Sequence, residues 1–415
     1  MTEGPEAKGL SLSRRASLGA GGALVLGGLL AGCTGRSDRS ANGTNGSTDS
    51  GTRATDSATD STTPGGAGGS YSVSMAPMGE VTFDGVPKRI FTRLTHLAGM
   101  AFALGRGTDV TAMHSPEYYD ALWNQFTPRL DGVSVDWSGL YSSWNPSKEQ
   151  LYELDNDVHL ADPAGVASLH GWTTDDLDEI RTNVGPWFGN YYSDRHATPP
   201  DEWADEYRYY GLWEMFEKVA QVFGENARYE ALASVHTRLR ETIADGLPPS
   251  GRRPTATMAL PRDLDEIYVY KVTTPGFLTA HTRPLGPAEA FGGDVASGDT
   301  VDVEGLLEAD PDVLFGLGGM HPETDMRRVR RRLREDPVGK RLSAVENDRV
   351  YAQGARYQGP ILNLFQLEMT AKQLYPDQFG EWPRYTKGPY PELPADEQLF
   401  DRERVADVVN GSFRR

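Results

Sequence analysis

The alternation of apolar and polar positions changes period several times after residue 80, and each change marks an element. Residues 80–84 and 87–91 read as short strands, 97–104 as a helix stopped by Gly105, and 109–113 as a further strand. Strand, helix and strand in quick succession predict an α/β layer with a parallel sheet and right-handed crossovers. From 203 to 223, Tyr207, Tyr210, Trp213, Phe216, Ala220 and Phe223 recur at three- and four-residue spacing, one helical stripe ended by Gly224. A second helix runs from 225 to about 245, with Tyr229, Leu232, Leu239 and Ile243 on one face, until Leu247, Pro248 and Pro249 stop it. Strands resume at 254–260, at 267–272 and around Val350 and Tyr351. The basic helix at 327–334 reads as a solvated face, and a closing amphipathic helix is predicted over 392–410.

Two stretches of this pattern are the same pattern. Residues 148–161, KEQLYELDNDVHLA, align without gaps on 303–316, VEGLLEADPDVLFG, at a constant offset of 155 residues. Both are a short amphipathic helix feeding a buried strand, and Glu149 with Glu304, Asp155 with Asp310 and Asp157 with Asp312 coincide. The chain therefore divides into two related α/β halves. We expect Rossmann-like lobes at 71–224 and 251–390, each around a mainly parallel sheet, joined by a single long helix at 225–250 and followed by a tail at 391–415.

The first seventy residues differ in kind. Ser13, Arg14 and Arg15 precede an apolar run at 18–31, which is too short and Gly-rich for a comfortable membrane span and reads as an export signal of twin-arginine type. Leu30, Ala31, Gly32 and Cys33 form a lipobox, so the Cys33 thiolate is the expected lipid-attachment point. Cys33 is also the only cysteine, which excludes an intramolecular disulfide, a cysteine metal cage and an iron–sulfur cluster. Residues 34–70 are almost entirely Ser, Thr, Gly, Asp and Asn and are expected to form a flexible tether. Together these place the protein on the extracellular face of the membrane, lipid-anchored. Sequons at Asn42, Asn45 and Asn410 are possible glycosylation acceptors.

A formal charge of -18 disfavours nucleic-acid binding and suits a halophilic source, where an acidic surface keeps a protein hydrated. No GxSxG, GxxxxGK or HExxH motif occurs, so an enzyme is not expected, and neither a catalytic residue nor an intrinsic cofactor is assigned. Five histidines, His96, His159, His170, His281 and His321, could serve a bare divalent ion, but none pairs at metal-ligand spacing and no metal site is assigned. That alternative remains beside a second, a non-transport cell-surface protein.

Further segments carry a family likeness: GEVTFDGVPKRIF at 79–91, LAGMAFALG at 97–105, the two Glu-led helices, AVENDRVYAQG at 344–354 and LNLFQLEMTAKQLYPDQF at 362–379. Their order resembles the iron-siderophore and cobalamin class of ABC-transporter binding proteins, here of haloarchaeal type. The resemblance implies a monomer that holds a metal chelate between its lobes, a ferric siderophore first and cobalamin or haem next. It implies permease and ATPase subunits as partners, and Glu149 and Glu304 as the carboxylates that engage the permease. The loops that would line the cleft in the first lobe contain Arg93, His96, Tyr118, Trp137, Tyr141, Trp144, Trp187 and Tyr191. Those of the second contain Lys271, His281, Arg283, His321, Arg356 and Tyr357. Aromatic faces with arginines suit a flat anionic chelate through stacking and charge-assisted hydrogen bonds.

Overall fold

The computed structural model describes residues 69–260 and 263–413; the export signal, Cys33, the sequons at Asn42 and Asn45 and the tether up to residue 68 lie outside the described residues. Its first half contains strands β1 (Tyr71–Met75), β2 (Gly79–Phe83), β3 (Ile90–Thr92), β4 (Val110–Met113), β5 (Tyr141–Ser142) and β6 (Val158–Leu160). Helices α1 (Thr95–Ala103), α2 (Pro116–Trp123), α3 (Lys148–Leu154), α4 (Pro163–Ala167) and α5 (Thr174–Asn183) intervene or follow. A short α6 (Asp201–Ala204) precedes α7 (Leu212–Phe223) and the long α8 (Asn226–Gly246). The second half has β7 (Thr255–Leu260), β8 (Ile267–Tyr270), β9 (Ala288–Glu289), β10 (Thr300–Val301), β11 (Val313–Gly316) and β12 (Val350–Ala352). Its helices are α9 (Val303–Ala309), α10 (Met326–Glu335), α11 (Ser343–Glu346), α12 (Pro360–Leu374), α13 (Pro376–Phe379) and α14 (Arg402–Asn410).

The repeat survives in detail. α3 and β6 match α9 and β11, and both helices end on an aspartate in left-handed backbone, Asp155 at φ 46° and Asp310 at φ 37°. Asp157 Oδ2 accepts the backbone N–H of Lys88 and Arg89 at 2.7 and 3.1 Å, just before β3, and Asp312 Oδ2 accepts that of Thr255 at 2.8 Å, at the start of β7. One carboxylate per half thus fixes the start of the neighbouring strand. The first sheet has order β5-β4-β3-β6 and is parallel throughout. The second, β10-β8-β7-β11-β12, is parallel across β7, β11 and β12 and antiparallel at β8 and β10. Such sheets put their carboxyl-terminal loops at one edge, where ligands bind in α/β proteins.

α8 spans about 30 Å at the usual helical rise and buries Leu232, Val235, Leu239 and Ile243. The aromatic stripe before it is shorter than its spacing suggests. The helix breaks after α6, and Tyr207 and Tyr210 lie in an extended stretch, because Gly211 starts α7 with Glu214 reaching back to its N–H at 2.6 Å. The basic helix α10 is likewise not all solvated: Arg330 is buried and donates to the carbonyls of Val350 and Tyr385, both at 2.8 Å.

Every residue of α12 is buried, so this helix is the common floor of both halves. Gly359 at its start meets Gly99 of α1 so closely that a Cβ on Gly99 would stand 2.9 Å from the Gly359 Cα. Its polar side chains pair with one another. Asn363 and Gln366 both donate to Gln358 Oε1, at 3.0 and 2.9 Å, while Trp213 donates to Asn363 Oδ1 at 2.9 Å. Glu368 is fully buried; it accepts from Arg402, Tyr390 Oη and Leu399 N–H, each at 2.7 Å.

Those last contacts locate the tail, of which only Arg402–Asn410 is α-helical, with a single 3-10 turn at Ala395–Glu397, instead of the whole of 392–410. The tail runs from the second half, where Met326 N–H donates to the Thr386 carbonyl, back to the first. There Tyr390 N–H meets the Gln125 carbonyl at 2.6 Å and Arg129 donates to the Tyr390 carbonyl at 2.7 Å. Farther on, Asn410 Nδ2 donates to the Asp131 carbonyl at 2.9 Å, a bond that a glycan on Asn410 would break.

Candidate ligand site between the lobes

The strand ends deliver charge and aromatic surface to one seam. Arg93 follows β3, His114 follows β4, Asp162 follows β6, His321 lies beyond β11, and Arg356 and Tyr357 follow β12. The two sides touch: the His96 ring stacks 4.4 Å from Phe277 and 5.8 Å from Tyr357, and Tyr118 stacks on His321 at 4.2 Å with 6° between planes.

Two guanidiniums are buried here without a direct ion pair to a carboxylate among the described residues. Arg93 lies over the rings of Trp144 and Tyr191, at 5.3 and 5.6 Å, and donates to the Trp144 carbonyl at 3.4 Å. Arg356 lies over Tyr270 at 4.3 Å. Among the described residues neither forms an ion pair, and Arg356 has no side-chain hydrogen bond. Burial lowers the pKa of both.

The surrounding groups are tuned by the same desolvation. Asp162 accepts from Tyr207 Oη at 2.5 Å, Tyr191 N–H at 2.7 Å and Ala164 N–H at 2.8 Å, yet burial still pushes it up to about 6. Asp194 is also raised to about 6 by burial. His281 Nδ1 accepts from the Gln358 amide at 2.6 Å, since both other partners of Gln358 donate to its oxygen; the ring proton is therefore on Nε2, and burial lowers this imidazole to about 3. Asp162 lies close enough to Arg93, and Asp194 to Arg356, to favour the charged guanidinium, yet burial outweighs them and neither pair forms an ion pair among the described residues.

A family model described as "Periplasmic binding protein" matches residues 144–357, just over half of the 415-residue chain, and spans both repeats. The chain belongs to that family. As a periplasmic binding protein it is of a class that delivers ligands to ABC permeases. A periplasmic binding protein of Veillonella parvula shares the fold, with a TM-score of 0.52 at 14% identity over 78% of this chain and 95% of its own. Also similar are a triscatecholate siderophore binding protein of Bacillus subtilis, complexed with ferri-bacillibactin (TM-score 0.49, 15% identity, 73% and 98% of the two chains), and an Fe3+-hydroxamate transport protein of Saccharomonospora viridis (0.44, 22%, 71% and 95%). No curated protein matches in sequence.

Within this binding protein, Arg93, His96, Tyr118, Trp144, Tyr191, His281, His321, Arg356 and Tyr357 come together at the seam. Trp137 does not; it packs with Phe102 and Trp123 in the core. Nor does Trp187, whose indole donates to the Leu177 carbonyl at 3.0 Å inside the core of the first lobe. Tyr141 sits exposed on the edge strand β5, and Lys271 is turned to the Gly292 carbonyl at 2.9 Å. Arg283 lines a cavity between the lobes together with Arg195, Tyr207 and Tyr209. Asp162, Asp194, His114 and Tyr270 are seam residues that periodicity does not single out, and Tyr207, read from its spacing as part of a helical stripe, joins them through its bond to Asp162. The signal for Asp162 was Asp-Pro directly after a strand, a helix cap.

His96 makes the seam acid-sensitive. Neither ring nitrogen has a partner, and burial lowers the imidazole from 6.5 to about 3. The folded state holds it neutral, so its contribution is complete above the unfolded value and is lost as pH falls below 6.5 towards 3, by about 1.4 kcal/mol per pH unit. Asp162 and Asp194 act oppositely, since their raised values favour the folded state as pH falls from about 6 towards 4. His96→Leu is expected to flatten the loss on acidification; urea midpoints at pH 7 and pH 4.5 that shift equally in wild type and variant would contradict it.

Proposed function

We propose that this protein is the capturing subunit of an ABC importer and that its cargo is an anionic metal chelate, a ferric siderophore first, cobalamin or haem next. The observation that carries this reading is the pair of buried guanidiniums, Arg93 and Arg356, one from each lobe and neither in an ion pair among the described residues. A buried cation without a partner is costly, and a ligand that brings negative charge offsets the cost. Stacking surfaces at Trp144, Tyr191, Tyr118 and Tyr357 suit a flat, partly apolar chelate. A bare divalent ion has less support, because no group of three or more His, Cys, Asp or Glu is placed to hold one among the described residues.

In this reading the lobes at 71–224 and 251–390 close over the cargo while the connector at 225–250 restrains them. Cys33 carries the lipid after twin-arginine export, and the protein works as a monomer on the extracellular face of a halophile's cell membrane. Glu149 and Glu304 meet the permease. Both are exposed in the first turn of their helices, α3 capped by Ser147 and α9 by Asp302, and hydrogen bonds to its own backbone and Ser147 keep Glu149 below the usual carboxylate range. Glu149→Ala combined with Glu304→Ala is expected to abolish uptake of a radiolabelled ferric siderophore by cells, with calorimetric affinity for the same chelate unchanged. Uptake at the wild-type rate would remove the docking role, and absence of chelate binding by the wild type would remove the cargo.

A further inference from the structure

The chain crosses between its halves twice, once along α8 and once near its end. On the second-half side, Arg330 of α10 donates to the Tyr385 carbonyl at 2.8 Å and Met326 N–H to the Thr386 carbonyl at 3.1 Å. Four residues on, Tyr390 is held by the first half: its N–H reaches the Gln125 carbonyl at 2.6 Å and its carbonyl takes Arg129 Nε at 2.7 Å. We propose that this returning segment is a strap, a conformational device that limits how far α10 and the layer around it can swing away from the first lobe.

The span between the two sets of anchors has little slack. Four residues reach about 14 Å when fully extended. Gly388 turns the backbone at φ 106°, where glycine is favoured, and its carbonyl accepts the Tyr385 hydroxyl at 2.7 Å. Pro389 then fixes the path into Tyr390.

The far end is fastened rather than frayed. Tyr390 is fully buried with its hydroxyl on Glu368 of α12 at 2.7 Å, and Phe400 meets Phe365 edge-on at 5.0 Å. Beyond them α14 buries Val405 and Val408. Arg228 of α8 donates to the carbonyls of Val408 and Val409, at 3.0 and 2.9 Å, which sets a cation at the carboxyl end of α14. A pull on Tyr390 is therefore passed to the connecting helix and, through Asn410 and the Asp131 carbonyl, to the first half.

Two bodies joined by one helix can tilt and twist about it in several directions. A second link removes some of those motions, because any tilt that parts α10 from residues 125–129 stops once the strap is taut. The device acts on the lobes whatever the cargo, so it goes beyond the importer reading and does not depend on it.

Pulsed electron paramagnetic resonance on the full chain, without cargo, tests the strap. In a Cys33→Ser background, Glu153→Cys and Glu308→Cys place spin labels at exposed, equivalent positions of α3 and α9. An insertion of about eight Gly and Ser residues between Gly388 and Pro389 adds up to about 28 Å of reach and leaves every anchoring residue in the chain. The width of the distance distribution should roughly double on that insertion. Arg129→Ala with Asn410→Ala, which unfastens the first-half contacts without altering the backbone, should widen it as well. The same insertion at Gly171, an exposed turn with open space around it, should leave the width alone. An unchanged width in a lengthened strap that melts as wild type would overturn the proposal, and so would equal widening from the Gly171 insertion. Where the lengthened chain fails to fold, the alanine pair decides, and an unchanged width there overturns the strap.

Discussion

Arg356→Met is expected to make the folded protein more stable and at the same time to remove chelate binding. Arg356 is 6% exposed and lies over the Tyr270 ring, and its burial outweighs the favourable neighbours Tyr357, Tyr270 and Asp194, so the charge is desolvated with only partial return. A thioether of similar reach keeps the packing and relieves the charge, for a gain of about 1 kcal/mol in denaturant unfolding. Charge-assisted hydrogen bonds to an anionic chelate contribute about 2 kcal/mol, so the dissociation constant should rise roughly thirtyfold or more. Arg93→Met on the other lobe should follow the same pattern, more weakly on stability because Arg93 keeps its bond to Trp144. The opposed signs distinguish a binding arginine from a structural one. A variant that unfolds more easily and binds as before would show Arg356 to be packing alone.

The second large effect is at Glu368. Removing its carboxylate in Glu368→Ala strands the Arg402 guanidinium, 8% exposed at its side chain, together with the Tyr390 hydroxyl and the Leu399 N–H. Loss of one partner of a buried pair costs about 3–5 kcal/mol. Urea unfolding should show a loss of that size, and Arg402→Leu combined with Glu368→Leu should lose less than half as much, because no charge is then left unpaired. If the double variant is as unstable as the single one, the segment is held by something other than this ion pair.

How far the sequence carried these conclusions depends on the range of the interaction. The repeat was readable because it is local: a capped helix, an aspartate turn and a buried strand recur within fourteen residues, and the backbone keeps even the left-handed turns at Asp155 and Asp310. The stripe from 203 to 223 misled because apolar spacing does not report that a glycine, Gly211, restarts the helix. Candidate arginines were found by residue type, but aromatic residues were not separable in the same way. Trp144 under Arg93 and Trp137 in the core satisfy the same requirement for large apolar surface, and only tertiary neighbours differ. Asp162 and Tyr207 are 45 residues apart and carry no pattern that predicts their bond.

The returning tail has a consequence for how the molecule is made. Arg129 and Tyr390 are 261 residues apart, and Asn410 and Asp131 are 279 apart, so the first half obtains these partners only after the second half has been made. Contacts of such separation slow folding, and the first half cannot complete these bonds on its own. Closure of the tail over the first half is therefore a late step, made only once Asn410 is in place.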